Sequence, residues 1–333
     1  MKILQVGLGS MGQRRIRCLK KLGYHNIVGY DPREDRRQLV ESKYNIETVS
    51  DWSIAKTLQT EAWIISTPPD THIEVGLQAL DNGSHFFAEA GVDQPNFQLL
   101  KEKLEETKLV GAASSTMQYF FGPKKIKEIV SSGRIGKPLL ITYQSGQYLP
   151  DWHPWESYKD FYVSKRHTGA CREIVPFELT WMIPIFGKVA EVTCMKNKLS
   201  DLDADIDDVY QLLLNFESGL SCHLLVDVIA RPAVRMFRLC GSEGSLEWDH
   251  QKNEIRIHTP KEDNWEIIPL ETGNIEKGYL HQEEPYVDEM NDFMSALLGK
   301  KSWNDSFEQN EEILNVLLAA EKAADTGVTQ KMK

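Results

Sequence analysis

The sequence opens on a short apolar run, Lys2-Ile3-Leu4-Gln5-Val6, that passes directly into Gly7-Leu8-Gly9-Ser10-Met11-Gly12 and then into residues of helical period. Strand, tight turn and helix in that order are what a backbone needs to hold a pyrophosphate. Gly7 permits the sharp turn, Gly9 lets the backbone approach phosphate with no Cβ between them, and Gly12 lets the helix lie close to the strand. The unpaired N–H groups that begin the helix, around Ser10 and Met11, then face the anion. This helix carries Ile16, Leu19 and Leu22 at helical spacing and stops at Gly23. A second apolar strand, Ile27-Val28-Gly29-Tyr30, ends at Asp31. An acid about twenty residues past the glycines hydrogen-bonds the adenosine ribose hydroxyls and repels a 2′-phosphate. The expected cofactor is therefore NAD in preference to NADP.

At 333 residues the chain has room for two domains, each with its own core. Lysine plus arginine number 38 and aspartate plus glutamate 49, a net charge of −11, which argues against a nucleic-acid-binding surface and against an anionic membrane partner. Five cysteines, Cys18, Cys171, Cys194, Cys222 and Cys240, are odd in number and lack metal-ligand spacing, so reduced thiols in a cytoplasmic protein are expected. The aspartates between Asp201 and Asp208 lack the central glycine and closing glutamate of a calcium loop, and no zinc pattern or Ser-His-Asp set stands out. The first apolar stretch is brief and broken by glycines, so neither a signal peptide nor a membrane span is expected.

Beyond Asp31, a polar helix over 32–43 precedes strand Ala62-Trp63-Ile64-Ile65-Ser66-Thr67, which Pro68-Pro69 closes at the edge where open α/β sheets bind ligands. Helix 71–80, strand Phe86-Phe87-Ala88 with Glu89-Ala90-Gly91 behind it, helix 98–108 and strand 109–113 complete a doubly wound parallel sheet. The composition shifts at Phe120-Phe121-Gly122-Pro123, which sets a boundary between a domain of residues 1–121 and one of residues 122–333. The second reads as an α+β domain: a helix over 124–132, then strands at 139–144, 189–196, 208–216, 221–229, 234–240, 244–248 and 255–258, many with period-two alternation, predict one large, mostly antiparallel sheet. One face of such a sheet needs cover, which a second subunit supplies. Helices over 284–298 and 308–324 close the chain, and its last residues, 330–333, are expected to fray.

With the glycine turn, the Ser66-Thr67-Pro68-Pro69-Asp70-Thr71-His72 segment, the Gly133 to Leu139 connection and the closing helices in view, the whole chain resembles the glucose-fructose oxidoreductase / inositol dehydrogenase / MocA family. The stretch from Tyr148 to Tyr158, with Trp152, His153, Pro154 and Trp155, is similar to the subgroup found with bacterial surface-sugar biosynthesis. The resemblance implies a Rossmann domain, a carboxyl-terminal sheet domain, NAD or NADP, and hydride exchange with a sugar or cyclitol hydroxyl; for this chain the expected substrate is a sugar or nucleotide-sugar of carbohydrate metabolism. It also implies homodimers or homotetramers built on the sheets. Typical members carry Glu-Lys-Pro at the end of the fifth strand, where this chain has Glu89-Ala90-Gly91. Their downstream His-x-x-Asp corresponds here to Phe177 and Thr180, and Arg-Phe-His-Pro at the domain junction to Gln118-Tyr119-Phe120-Phe121. The implied alternatives are an oxidoreductase that recruits other residues, or a catalytically silent or repurposed relative that binds a dinucleotide or sugar.

Moving a hydride from a secondary alcohol requires a group that takes the hydroxyl proton. Lys165 and His167, just before Thr168-Gly169, are the candidate substitutes, against solvated loop residues as the alternative. Glu173 matches the family's first acid and would orient a sugar hydroxyl, or else pair with Arg172 or Lys165. The cofactor-binding set is Gly7, Gly9, Ser10, Met11, Gly12, Asp31, Thr67, Pro68, His72 and Glu89, with His72 alternatively hydrogen-bonded within its own helix start. Arg14 and Arg15 stand in a helix's first turn, where the macrodipole disfavours cations; a phosphate partner would explain one and solvation the other. The aromatic segment around Trp152, Trp155 and Tyr158 either stacks on a sugar ring or packs.

Overall fold

The computed structural model describes residues 1–91, 95–153, 155–261, 264–279, 281–303 and 307–332. Pro154 of the aromatic segment lies outside the described residues. The chain divides into two compact units, residues 1–116 with 283–311 and residues 117–282 with 312–333.

The first unit alternates strand and helix: β1 (Ile3–Val6), α1 (Ser10–Lys21), β2 (Ile27–Tyr30), α2 (Glu34–Tyr44), β3 (Glu47–Val49), α3 (Trp52–Ala55), β4 (Ala62–Ile65), α4 (His72–Asp81), β5 (His85–Ala88), α5 (Phe97–Glu106) and β6 (Gly111–Ala113). The strands form a six-stranded sheet in the order β3-β2-β1-β4-β5-β6, parallel throughout. β1 and β4 are buried at every residue, as central parallel strands covered on both faces must be. After β3 the chain returns past β1 to β4, so strand order reverses beside β1, and the carboxyl ends of β1 and β4 flank the crevice where such sheets hold ligands.

The second unit begins with α6 (Phe121–Ser131) and β7 (Pro138–Gly146), and then α7 (Cys171–Phe186) leads to β8 (Val189–Asn197), β9 (Val209–Phe216), β10 (Ser221–Asp227), β11 (Val234–Gly241), β12 (Ser245–Asp249), β13 (Glu254–His258) and β14 (Glu266–Pro269). The chain returns to the first unit with α8 (Glu284–Leu297), where the Phe293 ring meets Phe87 edge-on at 5.5 Å. It ends with α9 (Phe307–Thr326) and β15 (Gln330–Lys331). These strands make a nine-stranded sheet in the order β14-β13-β12-β11-β7-β10-β9-β8-β15. Every neighbouring pair is antiparallel except β7 with β10. Alternation divides its faces: Ile141, Tyr143, Leu212, Leu214, Cys222 and Leu224 are buried, while Leu140, Leu213, Met195 and Met236 are exposed.

Two features depart from the sequence reading. The end of the chain is paired, Gln330 opposite Val192 and Lys331 opposite Glu191. Helix α7 contains Pro176 and Pro184 and buries residues all round, among them Glu178, Leu179, Thr180, Trp181 and Met182, so it carries no amphipathic stripe for a sequence to display.

Candidate cofactor site

The glycine turn in the first unit is confined on two sides and open on a third. Gly7 has φ +87°, and a Cβ on it would stand 2.5 Å from the Ser66 carbonyl oxygen. One on Gly12 would stand 2.0 Å from the Gly7 carbonyl oxygen. Both contacts are with backbone, so only glycine fits. A Cβ on Gly9 would meet nothing nearer than the Arg36 guanidinium, at 3.4 Å. Gly9 is the N-cap of α1 and no side chain caps the helix, leaving Ser10 and Met11 to present the amide end that an anion seeks. The buried Gln5 amide donates to the Gly7 carbonyl and to Ser66 Oγ, both at 3.1 Å, and so ties the turn to the end of β4. A glutamine inside an apolar strand was the available sequence signal for this brace.

Asp31 closes the far end of the turn. Its Oδ2 accepts from Leu8 N at 2.9 Å and its Oδ1 from Arg33 N at 2.9 Å. At the end of β4, Thr67 and Thr71 share a hydroxyl hydrogen bond of 2.6 Å, and Thr71 Oγ1 donates to the Pro68 carbonyl at 2.8 Å. His72 is buried; its Nε2–H donates to the Thr67 carbonyl at 2.9 Å. Burial lowers its pKa from 6.5, so the ring is neutral near pH 7.

Glu89 follows β5 and holds Arg15 in a fork, Nε at 2.7 Å and Nη2 at 2.9 Å. Arg15 also reaches Glu289 of α8 at 2.9 Å, Ser114 and Thr116 at 3.2 Å each, and lies 4.6 Å from the Phe87 ring centroid. Arg14 pairs with Glu283 at 2.9 Å and lies over the Tyr286 ring at 4.1 Å. The expectation of one phosphate-bound and one solvated arginine is corrected here: Arg14 is 3% and Arg15 0% exposed, and acids neutralise both. Burial works against the charge of Arg15, but Glu89 and Glu289 more than offset it, so its pKa is raised. Glu289, also fully buried, is pushed up by burial against the pull of Arg15.

All ten residues of the expected cofactor set therefore stand in the first unit, on or just after the carboxyl ends of β1, β2, β4 and β5. Lys165, His167 and Glu173 stand in the second unit. Lys165 and His167 are exposed. The Lys165 carbonyl accepts from Thr168 N at 3.2 Å and from Gly169 N at 2.9 Å, and the His167 carbonyl accepts from Arg172 Nη1 at 2.6 Å. Glu173 accepts from the Tyr162 hydroxyl at 2.7 Å, whereas Arg172, its expected alternative partner, binds Glu321 at 2.7 Å. Thr180 Oγ1 donates to the Phe177 carbonyl at 2.7 Å. Near Trp155, which is 51% exposed, the His153 ring stacks at 5.1 Å and Tyr279 lies at 5.6 Å. Among the described residues no cluster of histidine, cysteine, aspartate or glutamate has metal-holding geometry, and no helix is long and apolar enough to cross a membrane.

Several solved structures share this fold over nearly their whole length. An oxidoreductase from Agrobacterium radiobacter in complex with NAD+, L-tartaric acid and magnesium is 14% identical with a TM-score of 0.86, covering 99% of this chain and 98% of that one. Levoglucosan dehydrogenase in complex with NADH is 16% identical with a TM-score of 0.84, covering 100% and 99%. An oxidoreductase domain protein from Kribbella flavida is 17% identical with a TM-score of 0.85, covering 100% and 99%. No curated protein matches the sequence. Residues 1–108 match the model of the oxidoreductase family's NAD-binding Rossmann fold, and residues 124–247 that of the GFO/IDH/MocA carboxyl-terminal domain. With one family model matched in each part of the chain, it belongs to the glucose-fructose oxidoreductase / inositol dehydrogenase / MocA family of NAD-binding oxidoreductases.

Proposed function

We propose that this protein transfers a hydride between NAD and a secondary hydroxyl of a sugar or nucleotide-sugar. The observation that carries the cofactor half is the glycine turn: two positions closed to any Cβ by backbone, one open position, an uncapped helix start and Asp31 at the ribose end. Gly7, Gly9, Ser10, Met11 and Gly12 would hold the diphosphate, Asp31 the adenosine ribose, and Thr67, Pro68, His72 and Glu89 the strand ends toward the nicotinamide. The bound cofactor supplies the hydride acceptor; the chain must supply orientation and a place for the hydroxyl proton. Levoglucosan dehydrogenase, a neighbour in fold, supports a carbohydrate as substrate.

For the proton, Lys165 and His167 are the proposed substitutes for the lysine absent at Ala90, with Glu173 orienting the sugar. Ala90, Phe177 and Thr180 also favour a second reading, a relative that binds dinucleotide or sugar and turns nothing over. Free, mostly buried cysteines fit a reducing cytoplasm. The exposed apolar face of the nine-stranded sheet supports a homodimer or homotetramer built on it.

The test is to purify the protein, assay it for bound NAD(H), and follow reduced-cofactor absorbance with a panel of sugars and nucleotide-sugars. Turnover that disappears in Lys165→Ala or His167→Ala supports the enzyme. Binding without turnover supports the silent relative, and no affinity for either pyridine nucleotide sinks the enzyme and leaves of the second reading only a sugar-binding protein.

A further inference from the structure

Arg15 is a single cation between two buried acids. Its guanidinium forks onto Glu89 at 2.7 and 2.9 Å and reaches Glu289 Oε2 at 2.9 Å, so two carboxylates share one positive charge. Arg15 and Glu289 are fully buried and the Glu89 side chain is 15% exposed, which leaves little water to screen the excess. Glu289 is ringed by donors: Ser115 N at 2.6 Å, Thr116 Oγ1 at 2.5 Å, Ser114 Oγ at 3.1 Å and Arg15 itself. Such a shell suits the ionised carboxylate. The other cations of α1 are engaged elsewhere, Arg14 and Arg17 on Glu283 at 2.9 Å each and Lys21 near Glu284 at 3.6 Å. Ala90 and Gly91, which follow Glu89, add no charge. Two acids against one arginine leave a negative charge uncancelled in the first unit, at the carboxyl ends of β5 and β6.

We propose that Glu289 is a specificity-determining residue for the oxidation state of the cofactor, so that the protein binds NAD+ more tightly than NADH. The inference rests on the cofactor reading above, which sets Glu89 toward the nicotinamide. NAD+ carries a positive ring that NADH lacks, and an uncancelled negative charge near the same strand ends favours the positive form. Tighter binding of one oxidation state displaces hydride exchange on the protein by the same factor. The favoured direction is then reduction: a hydride leaves NADH for a carbonyl carbon, a proton from solvent is taken up at the carbonyl oxygen, and the products are NAD+ and the secondary hydroxyl.

The experiment titrates the full-length protein by calorimetry with NAD+ and, separately, with NADH, at about pH 8 to hold Glu289 ionised against the burial that raises its pKa. The expected dissociation constant for NAD+ is the smaller of the two. Glu289→Gln removes the charge and should raise the ratio of the NAD+ constant to the NADH constant at least about threefold, a modest share of what a unit charge is worth across about 10 Å at an effective dielectric constant of about 20. Its melting temperature shows whether the variant is folded. An NADH constant smaller than the NAD+ constant in the unaltered protein overturns the inference, whatever the variant does. So does a folded Glu289→Gln whose ratio rises by less than about threefold or falls, and in either case both nucleotides still bind and the cofactor reading stands. Failure of the unaltered protein to bind either nucleotide overturns the cofactor reading, and this inference with it.

Discussion

Gly9 and Gly12 are confined by different things, and the difference separates folding from binding. A methyl on Gly12 would press on the Gly7 carbonyl at 2.0 Å, and that oxygen cannot move without unmaking the turn. Gly12→Ala should therefore lower stability by about 1–3 kcal/mol, the usual range for overpacking, and abolish NADH binding. Gly9→Ala meets only a side-chain guanidinium at 3.4 Å. Its melting temperature should stay near that of the parent while NADH affinity falls, a contrast that thermal denaturation and titration read directly. At Arg15 the acids decide. Arg15→Met leaves Glu289 buried without its counter-charge and should cost about 3–5 kcal/mol. Glu289 itself has a pKa raised above its ordinary 4.5, first by burial. A carboxyl raised in the fold stabilises the folded state while protonated, so that contribution is complete below 4.5 and is lost as pH rises through the raised value. The melting temperature of Glu289→Gln minus that of the parent should thus increase from about pH 5 to about pH 8; a flat or falling difference would refute the raised value.

At the level of elements, one carboxylate ties helix α7 to two strands of its sheet. Glu178, 0% exposed, accepts from the Tyr143 hydroxyl at 2.5 Å and Ser145 at 2.7 Å, both on β7, from Arg235 on β11 at 2.8 Å, and from Trp181 in its own helix at 3.3 Å. Glu178→Ala strands a buried guanidinium and should cost about 3–5 kcal/mol in urea denaturation, whereas Glu178→Leu combined with Arg235→Met should recover most of that loss. The sequence showed neither α7 nor this tie, because a helix buried all round has no stripe and long-range acid–base pairs leave no spacing. By contrast, β8 to β13 were closely legible, since each alternates between a covered and an open face. β14 and β15, at 4 and 2 residues, are too short to show a period. The turn residues of the site could be read because glycine and aspartate act there through local backbone geometry. Arg15 could not, because its role depends on what other segments bring to it, and Gln5 showed only as a polar residue inside an apolar strand.

For the whole molecule, the open face of the nine-stranded sheet is the surface on which a second copy is proposed to dock. Register places its outward residues in rows. Met236, Gln144, Leu225, Gln211 and Met195 form one row across β11, β7, β10, β9 and β8. The neighbouring row runs Ile267, Arg256, Glu247, Arg238, Thr142, His223, Leu213 and Thr193 from β14 to β8. Four of the apolar members are far from buried: Met195 is 62%, Leu213 58%, Met236 51% and Ile267 59% exposed. A hollow among Leu140, Leu213, Asn215, Ser221 and His223 roughens the same face. The charges of this row sit together toward one end, Glu247 pairing with both Arg238 and Arg256 and Glu254 pairing with Arg256, so two acids balance two arginines within the sheet. A face whose ionic groups are internally neutralised and whose apolar groups are not is suited to a second copy of itself, because a two-fold contact sets like residues against like and apolar ones tolerate that best. Leu213→Asp with Met236→Asp would put four carboxylates into such a contact. Sedimentation should then show the doubly substituted protein as a monomer at concentrations where the parent is a dimer or larger, with NADH affinity unchanged because the glycine turn is in the other unit. A parent that sediments as a monomer at high micromolar concentration would leave this face to solvent and end the proposal.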